Sequence, residues 1–140
     1  MTRQLAGRAA YAGAAVGFRL GIGRLMAFSE FEAIRYDRVI RGFVEKRRPP
    51  SNIRHELDLS YRLKDQSVEV FEIRPVWNNP HETLEIRVAK ATLVRTQSVW
   101  RVFWQRADLK WHRYDPEPEV ERLEDFVALV DRDQHGCFFG

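Results

Sequence analysis

The chain has 140 residues, with 23 Lys and Arg, 20 Asp and Glu, and one Cys. This length indicates one domain, and a lone Cys excludes an internal disulfide framework and a zinc site built from several Cys. We find no apolar stretch near the roughly 20 residues of a membrane span, and we expect a cytoplasmic protein without membrane partner or cofactor.

The positive charge is concentrated in residues 1–25, which contain four Arg and no acidic residue. Residues 26–140 hold 19 basic and 20 acidic residues, so net charge gives little support to nucleic-acid or anionic-membrane binding. The first 25 residues have features of a secretory signal, a transit peptide or translated upstream sequence with the true start at Met26. We favour the third interpretation, predict low order before residue 26, and assign residues 26–140 to a single domain.

A helix is predicted to begin at Ser29. Ser29 and Glu32 have the spacing of a capping box, and Phe28 precedes them at the staple position. The apolar residues that follow at helical spacing are Ala33, Tyr36, Ile40, Phe43 and Val44. The residues expected to face solvent are Arg35, Asp37, Arg38, Arg41 and Glu45. Pro49 and Pro50 are expected to end this helix.

The next segment predicts an antiparallel meander of four or five strands. Its first strand alternates apolar and polar residues, so one face should be buried and the other exposed to solvent. The apolar residues are Leu57, Leu59, Tyr61 and Leu63, and the polar ones are Glu56, Asp58, Ser60 and Arg62. Further strands are predicted at 68–77, 83–94, 99–105 and 110–114, with a turn at 78–81, joined by loops too short for parallel crossovers.

A second amphipathic helix is predicted after Pro116 and Pro118, ending near Gly136. Its apolar residues are Val120, Leu123, Phe126, Val127, Leu129 and Val130. The two amphipathic helices are therefore expected to pack on the apolar face of the sheet and bury it. The predicted fold class is therefore α+β, with an N-terminal helix, the meander, and a C-terminal helix, both helices packed on one sheet face.

The densest aromatic and basic cluster lies between residues 99 and 114. Trp100 and Trp104 share a strand face, and with Arg106 they could form a stacking platform for single-stranded nucleic acid. The alternative, which we favour, is that these Trp residues belong to the buried face of a central strand. The candidate ligand-binding residues of this cluster are Trp100, Trp104, Arg106, Lys110, Trp111 and Arg113.

Five segments form a recognisable pattern: 72–77, 89–90, 100–106, 108–114 and 136–140. The most specific of them is the sequence Asp-Leu-Lys-Trp-His at 108–112. Together they resemble a bacterial family of unknown function, DUF3024. The resemblance covers about residues 28–140 and excludes the first 25. It implies a small bacterial intracellular protein, and it implies no catalytic residue.

An enzymatic site is considered at Asp108, Lys110, His112 and Tyr114. A neighbouring carboxylate, Asp108 or Asp115, could orient the His112 ring for acid–base chemistry. Without an identifiable nucleophile or oxyanion donor these residues specify no reaction, so we favour a half-exposed strand His.

His135 and Cys137 could begin a metal site with Asp131 or Asp133. Zinc sites usually need four protein ligands, and the other His residues are scattered in the sequence. We favour instead an apolar tail in which Cys137 and the two Phe residues after it fold back on the core.

The remaining charged motifs are two Glu-Ile-Arg triplets, at 72–74 and 85–87, and the pair Arg47-Arg48. The triplets have Arg where a nuclease would need a proton-transferring Lys, so we expect cross-strand ion pairs. The Arg pair could contact phosphate, although cations also suit the last turn of a helix.

These patterns yield three functional hypotheses. The favoured one is a non-catalytic binding or interaction domain that could form a homodimer through a sheet edge or face. The second is nucleic-acid binding through the strand at 99–114, and the third is a hydrolase-type enzyme at the four residues named above.

Overall fold

The computed structural model describes residues 27–140, so the predictions for residues 1–25 lie outside the described part of the chain. Helix α1 spans Glu30–Arg47 and begins with the predicted capping box. The Glu32 backbone N–H donates to Ser29 Oγ at 3.2 Å, and the Ser29 N–H donates to Glu32 Oε1 at 2.8 Å. These two bonds satisfy backbone donors that a helix start leaves unpaired.

The end of α1 is joined to two distant parts of the chain. Arg48 has an extended backbone before Pro49, as predicted, and its guanidinium donates to both carboxylate oxygens of Asp58 at 2.9 and 2.8 Å. Arg47 donates to Asp131 Oδ1 at 2.8 Å. The Arg47-Arg48 pair therefore makes intramolecular ion pairs at the end of the helix.

Six strands follow, and they form one antiparallel sheet. The strands are β1 (Asp58–Lys64), β2 (Ser67–Val76), β3 (Asn79–Val94), β4 (Val99–Gln105), β5 (Trp111–Arg113) and β6 (Glu119–Val120). Strands β1 to β5 lie in chain order, which confirms the predicted meander. The short strands β5 and β6 pair with different parts of β4.

Helix α2 spans Leu123–Arg132 and is shorter than predicted. The prediction that Val120 belongs to this helix is wrong: it lies in β6, opposite Trp100 of β4. The helix also ends before Gly136, because Asp133 adopts a left-handed conformation with φ of 43°.

One face of the sheet is covered by both helices, as predicted. The register places apolar residues of adjacent strands on this face: Leu59, Tyr61, Leu63, Val68, Val70, Ala89, Ala91, Trp100 and Val102. They form a single buried cluster with Ile40 and Val44 of α1 and with Phe126 and Val130 of α2. Burial of these apolar side chains is the main force that holds the layers together. The α+β fold class is confirmed. We call this side the helix-covered face and the other side the open face.

Three residues predicted to be exposed are buried. Asp37 of α1 accepts a hydrogen bond from the Tyr61 hydroxyl at 2.5 Å and pairs with Arg41. Asp58 is buried and forms an ion pair with Arg48, and Ser60 is buried opposite Phe71. The alternation of apolar and polar residues correctly predicted which residues of β1 face the helices. It did not predict the burial of Asp58 and Ser60 on the other face, because that burial depends on residues distant in the sequence.

Strand β3 is longer than predicted. The turn predicted at 78–81 is shorter in the structure, because β3 already begins at Asn79. Of the predicted ion pairs, Glu85 pairs with Arg62 of β1, whereas Arg74 pairs with Glu72 on its own strand at 3.0 Å. Among residues 27–140, no helix has the length and apolar character required to span a membrane.

Candidate functional site

Trp100 cannot contribute to the predicted stacking platform because it belongs to the core. Its side chain is 3% exposed, and its ring centroid lies 4.9 Å from that of Tyr36 and 5.9 Å from that of Phe28. Burial raises the pKa of the Tyr36 hydroxyl. Trp104 is half-buried on the same face, with the Arg106 guanidinium 5.6 Å from its ring. The structure therefore corrects the platform hypothesis in favour of the core interpretation for Trp100.

Trp111 lies on the open face, on the opposite side of the sheet from Trp100 and Trp104. It is the register partner of Gln105, whereas its neighbour His112 is the partner of Trp104. The Lys90 ammonium lies 5.1 Å from the Trp111 ring and 4.9 Å from the Phe103 ring. The Arg87 guanidinium lies 5.8 Å from the Trp111 ring. These four residues, Arg87, Lys90, Phe103 and Trp111, are called the cation–aromatic cluster below.

The Lys90 ammonium is the cation that lies near both aromatic rings of this cluster. It is half-buried, and burial lowers its pKa, while the negative charge of Glu69 acts in the opposite direction. A cation held between two rings gains from their quadrupoles as well as from the nearby carboxylate. The arrangement can attract an anionic group and offer an aromatic surface beside it.

Sequence reasoning identified only part of this cluster. Trp111 was predicted as a ligand-binding residue, but Arg87, Lys90 and Phe103 were not. The alternation of β3 opposite β4 could have revealed Lys90 beside Phe103, since strand partners share a face. The other two predicted residues are exposed: Lys110 lies between the turn after β4 and the start of β5, and Arg113 pairs with Asp115 at 2.9 Å.

The four residues of the enzyme hypothesis do not come together. His112 Nε2 lies 2.8 Å from Asp108 Oδ2, and the Lys110 backbone N–H donates to Asp108 Oδ1 at 3.0 Å. This backbone bond, and after it the bond to His112, lowers the pKa of Asp108. Tyr114, however, is buried against Phe138, with ring centroids 4.8 Å apart, and burial raises its pKa. Only an acid–histidine pair is therefore assembled.

His135 and Cys137 lie in a C-terminal tail that packs on the core. The Asp133 carboxylate accepts hydrogen bonds from the backbone N–H groups of Phe138 at 3.0 Å and Phe139 at 2.9 Å. Burial, and then the charge of Asp133, raises the pKa of the Cys137 thiol, which disfavours the thiolate that binds metals. Within residues 27–140 there is no group of three or more His, Cys, Asp or Glu arranged to hold a metal ion. The packing of Phe138 on Tyr114 agrees with the tail interpretation.

Among residues 27–140, the most exposed large apolar side chain is that of Trp77, on the hairpin of β2 and β3. Strand β1 pairs with β2 only as far as Ile73, and β4 pairs with β3 only from Ala89 onward. Residues 74–88 therefore extend beyond the rest of the sheet, and we call them the arm. At its tip Trp77 is 93% exposed, and Leu84 and Ile86 are 41% and 38% exposed.

Sequence reasoning missed the arm, although a signal was present. The predicted third strand, at 83–94, is much longer than the predicted fourth, at 99–105. Antiparallel partners of unequal length leave part of the longer one unpaired on that side. The sequence places Trp77 at the end of the predicted strand 68–77 and in one segment of the family resemblance, without indicating its exposure.

The comparisons with known proteins agree with the extent of the described domain. The family model described as "Domain of unknown function (DUF3024)" matches residues 28–140. The chain belongs to the DUF3024 family. No curated protein and no solved structure matches this DUF3024 chain. The match begins one residue before Ser29, the N-cap of α1, and ends at Gly140 after the C-terminal tail, so the DUF3024 domain contains both helices, the arm and the cation–aromatic cluster.

Proposed function

We propose that this protein is a non-catalytic interaction domain that contacts a protein partner through the arm. The observation that supports the proposal is the exposure of Trp77, Leu84 and Ile86 on one projecting hairpin. Large apolar side chains grouped on a surface are typical of interaction sites, and Trp is enriched among the residues that dominate binding energy. We keep a bacterial, cytoplasmic setting as part of this proposal, because the family resemblance implies it.

Two features of the arm suit contact with a protein. Its charged residues of both signs, Arg74, Glu82, Glu85 and Arg87, balance one another, so a partner need not be strongly charged. Its backbone also presents a strand edge, which can accept a further strand through main-chain hydrogen bonds. Separation of the acid–histidine pair from Tyr114 supports the non-catalytic part of the proposal.

Photo-crosslinking in cells tests this function. Trp77 is replaced by p-benzoylphenylalanine, and the matched control carries the same amino acid in place of Glu117, an exposed residue outside the arm. We expect discrete adducts from position 77 that disappear when Leu84→Glu is added, and none from position 117. Equal adduct patterns at the two positions, or no adduct at position 77, would refute the proposal.

The cation–aromatic cluster favours a second candidate function, binding of single-stranded nucleic acid on the open face. Trp111 offers a ring for base stacking, and Arg87 and Lys90 supply positive charge beside it. Titration with a single-stranded oligonucleotide should quench Trp fluorescence, more strongly at low salt. Trp111→Phe should remove most of the quenching, and Arg87→Ala should reduce its dependence on salt. Absence of quenching at low salt, or unchanged quenching in Trp111→Phe, would reject this candidate.

A further inference from the structure

Lys90 differs from the other lysines of the chain in its surroundings. The chain has four Lys, of which three are exposed: Lys46, Lys64 and Lys110. Lys90 is half-buried on the open face, with its ammonium 4.9 Å from the Phe103 ring and 5.1 Å from the Trp111 ring. The three exposed lysines therefore serve as references for the chemical reactivity of Lys90.

Among residues 27–140, no carboxylate lies within ion-pairing distance of the Lys90 ammonium. The register partner of Lys90 on β2 is Glu69, but the Glu69 carboxylate lies 3.6 Å from Arg62 Nε instead. Lys90 also forms no side-chain hydrogen bond in the part of the chain that the structure describes. Arg62 Nε is the only fully buried polar side-chain atom there without a hydrogen-bond partner, so Lys90 Nζ reaches solvent. The amine is thus open to a reagent that approaches the open face.

Arg87 supplies a second cation beside the same ring. Its guanidinium lies 5.8 Å from the Trp111 ring, and it forms no ion pair with another described residue. Burial lowers the pKa of Lys90; the charge of Glu69 opposes this, and that of Arg87 adds to it. A partly desolvated Lys next to another cation has the surroundings of an activated amine nucleophile. The planar guanidinium of Arg87 is suited to hold a phosphate group beside that amine.

We propose that Lys90 is a site of covalent acylation by an acyl phosphate, with the Arg87 guanidinium holding the phosphate group. The inference goes beyond the proposed function and does not depend on the arm. The neutral Lys90 amine attacks the carbonyl carbon and forms an N–C bond. The bond from that carbon to the phosphate oxygen breaks, phosphate leaves with the electron pair, and the amine proton passes to water. The product is an uncharged amide, so the cation–aromatic cluster loses one of its two positive charges and attracts anions less strongly.

Acetyl phosphate is the probe for this reaction in the full chain. Acetylation of each Lys is followed over time by quantitative peptide mass spectrometry at mildly alkaline pH. We expect Lys90 to react about threefold or more faster than any exposed Lys, since each unit by which a pKa falls gives about ten times more free amine. In concentrated urea the four rates should converge, because the advantage depends on the fold. A rate at Lys90 equal to or below those of the exposed lysines in the folded chain, or an advantage that persists in urea, would overturn the proposal.

Arg87→Gln tests the role of the guanidinium. Arg87 is exposed, so the variant should fold, which circular dichroism checks. With acetyl phosphate the rate at Lys90 should fall about fivefold further than with p-nitrophenyl acetate, an uncharged donor, because only the first loses a charge-assisted hydrogen bond to phosphate. Arg101→Gln is the matched control, since Arg101 lies on the same face but near Glu119, at 3.7 Å, and it should leave both rates unchanged. An equal fall with the two donors in Arg87→Gln would overturn the assignment of Arg87 as the phosphate-holding residue.

Discussion

Replacing Glu32 by Gln tests how much the ion pair between Glu32, at the start of α1, and Arg95 stabilises the folded protein. Arg95, in the turn after β3, donates to the two oxygens of Glu32 at 2.6 and 2.8 Å and to the carbonyl oxygen of Ala27 at 3.0 Å. Its guanidinium lowers the pKa of Glu32 to about 2, from an ordinary value of 4.5. Gln retains an oxygen for the Ser29 N–H but carries no charge, so the substitution isolates the ion pair.

The size of the effect follows from this pKa difference. At about 1.36 kcal/mol per pKa unit, the difference corresponds to about 3 kcal/mol. The side chains of Arg95 and Glu32 are 40% and 25% exposed, so solvent screens the pair and we expect about 1–2 kcal/mol. Because the folded-state pKa is the lower one, the stabilisation is complete above pH 4.5 and is lost as the pH falls towards 2.

Urea denaturation at intervals from neutral pH downward measures this contribution. The free energy of unfolding of Glu32→Gln should be lower than that of the unsubstituted chain at neutral pH, and the two should converge below pH 4.5. Glu30→Gln, an exposed substitution in the same helical turn, should change stability by less than about 0.5 kcal/mol. A difference for Glu32→Gln that is the same at every pH would refute the reasoning, because an uncharged interaction would then be responsible.

Three further substitutions test other parts of the structure. Asp58→Asn should lower the free energy of unfolding by about 3–5 kcal/mol in urea denaturation, because it leaves the nearly buried Arg48 guanidinium without its counter-charge; a loss below 1 kcal/mol, roughly that of an exposed pair, would contradict this. Trp100→Ala should destabilise by about 3–5 kcal/mol through the cavity it leaves, and an unchanged melting temperature would be inconsistent with a core role. Asp133→Ala should lower the pKa of the Cys137 thiol and speed its reaction with Ellman's reagent at mildly alkaline pH, whereas an equal rate would show that Asp133 does not influence the thiol.

Local patterns predicted the elements of the fold because each is governed by neighbouring residues. The capping box at Ser29, the stop at Pro49 and the short loops of the meander all depend on interactions within a few residues. Burial of Asp37 and Asp58 depends on Tyr61 and Arg48, which are distant in sequence. Such partners follow from the packing of α1 on the sheet, which periodicity alone does not describe.

The candidate site was harder to predict because it depends on strand register. Trp104 and Trp111 are close in sequence, yet the β4–β5 register places them on opposite faces. A shift of one residue in that register would exchange those faces. Lys90 joins Trp111 only because β3, β4 and β5 are neighbours, so sequence proximity identified the aromatic residue but not its cation.

The ion pair between Arg47 and Asp131 has a consequence for synthesis on the ribosome. Its two residues are 84 positions apart, so α1 emerges long before the residue that holds its far end. Until the sheet and α2 have been synthesised, the apolar side of α1 stays exposed, and such a segment is prone to aggregation. The ion pair can form only after Asp131 has emerged, so a chaperone that binds apolar segments could contact α1 before the domain closes.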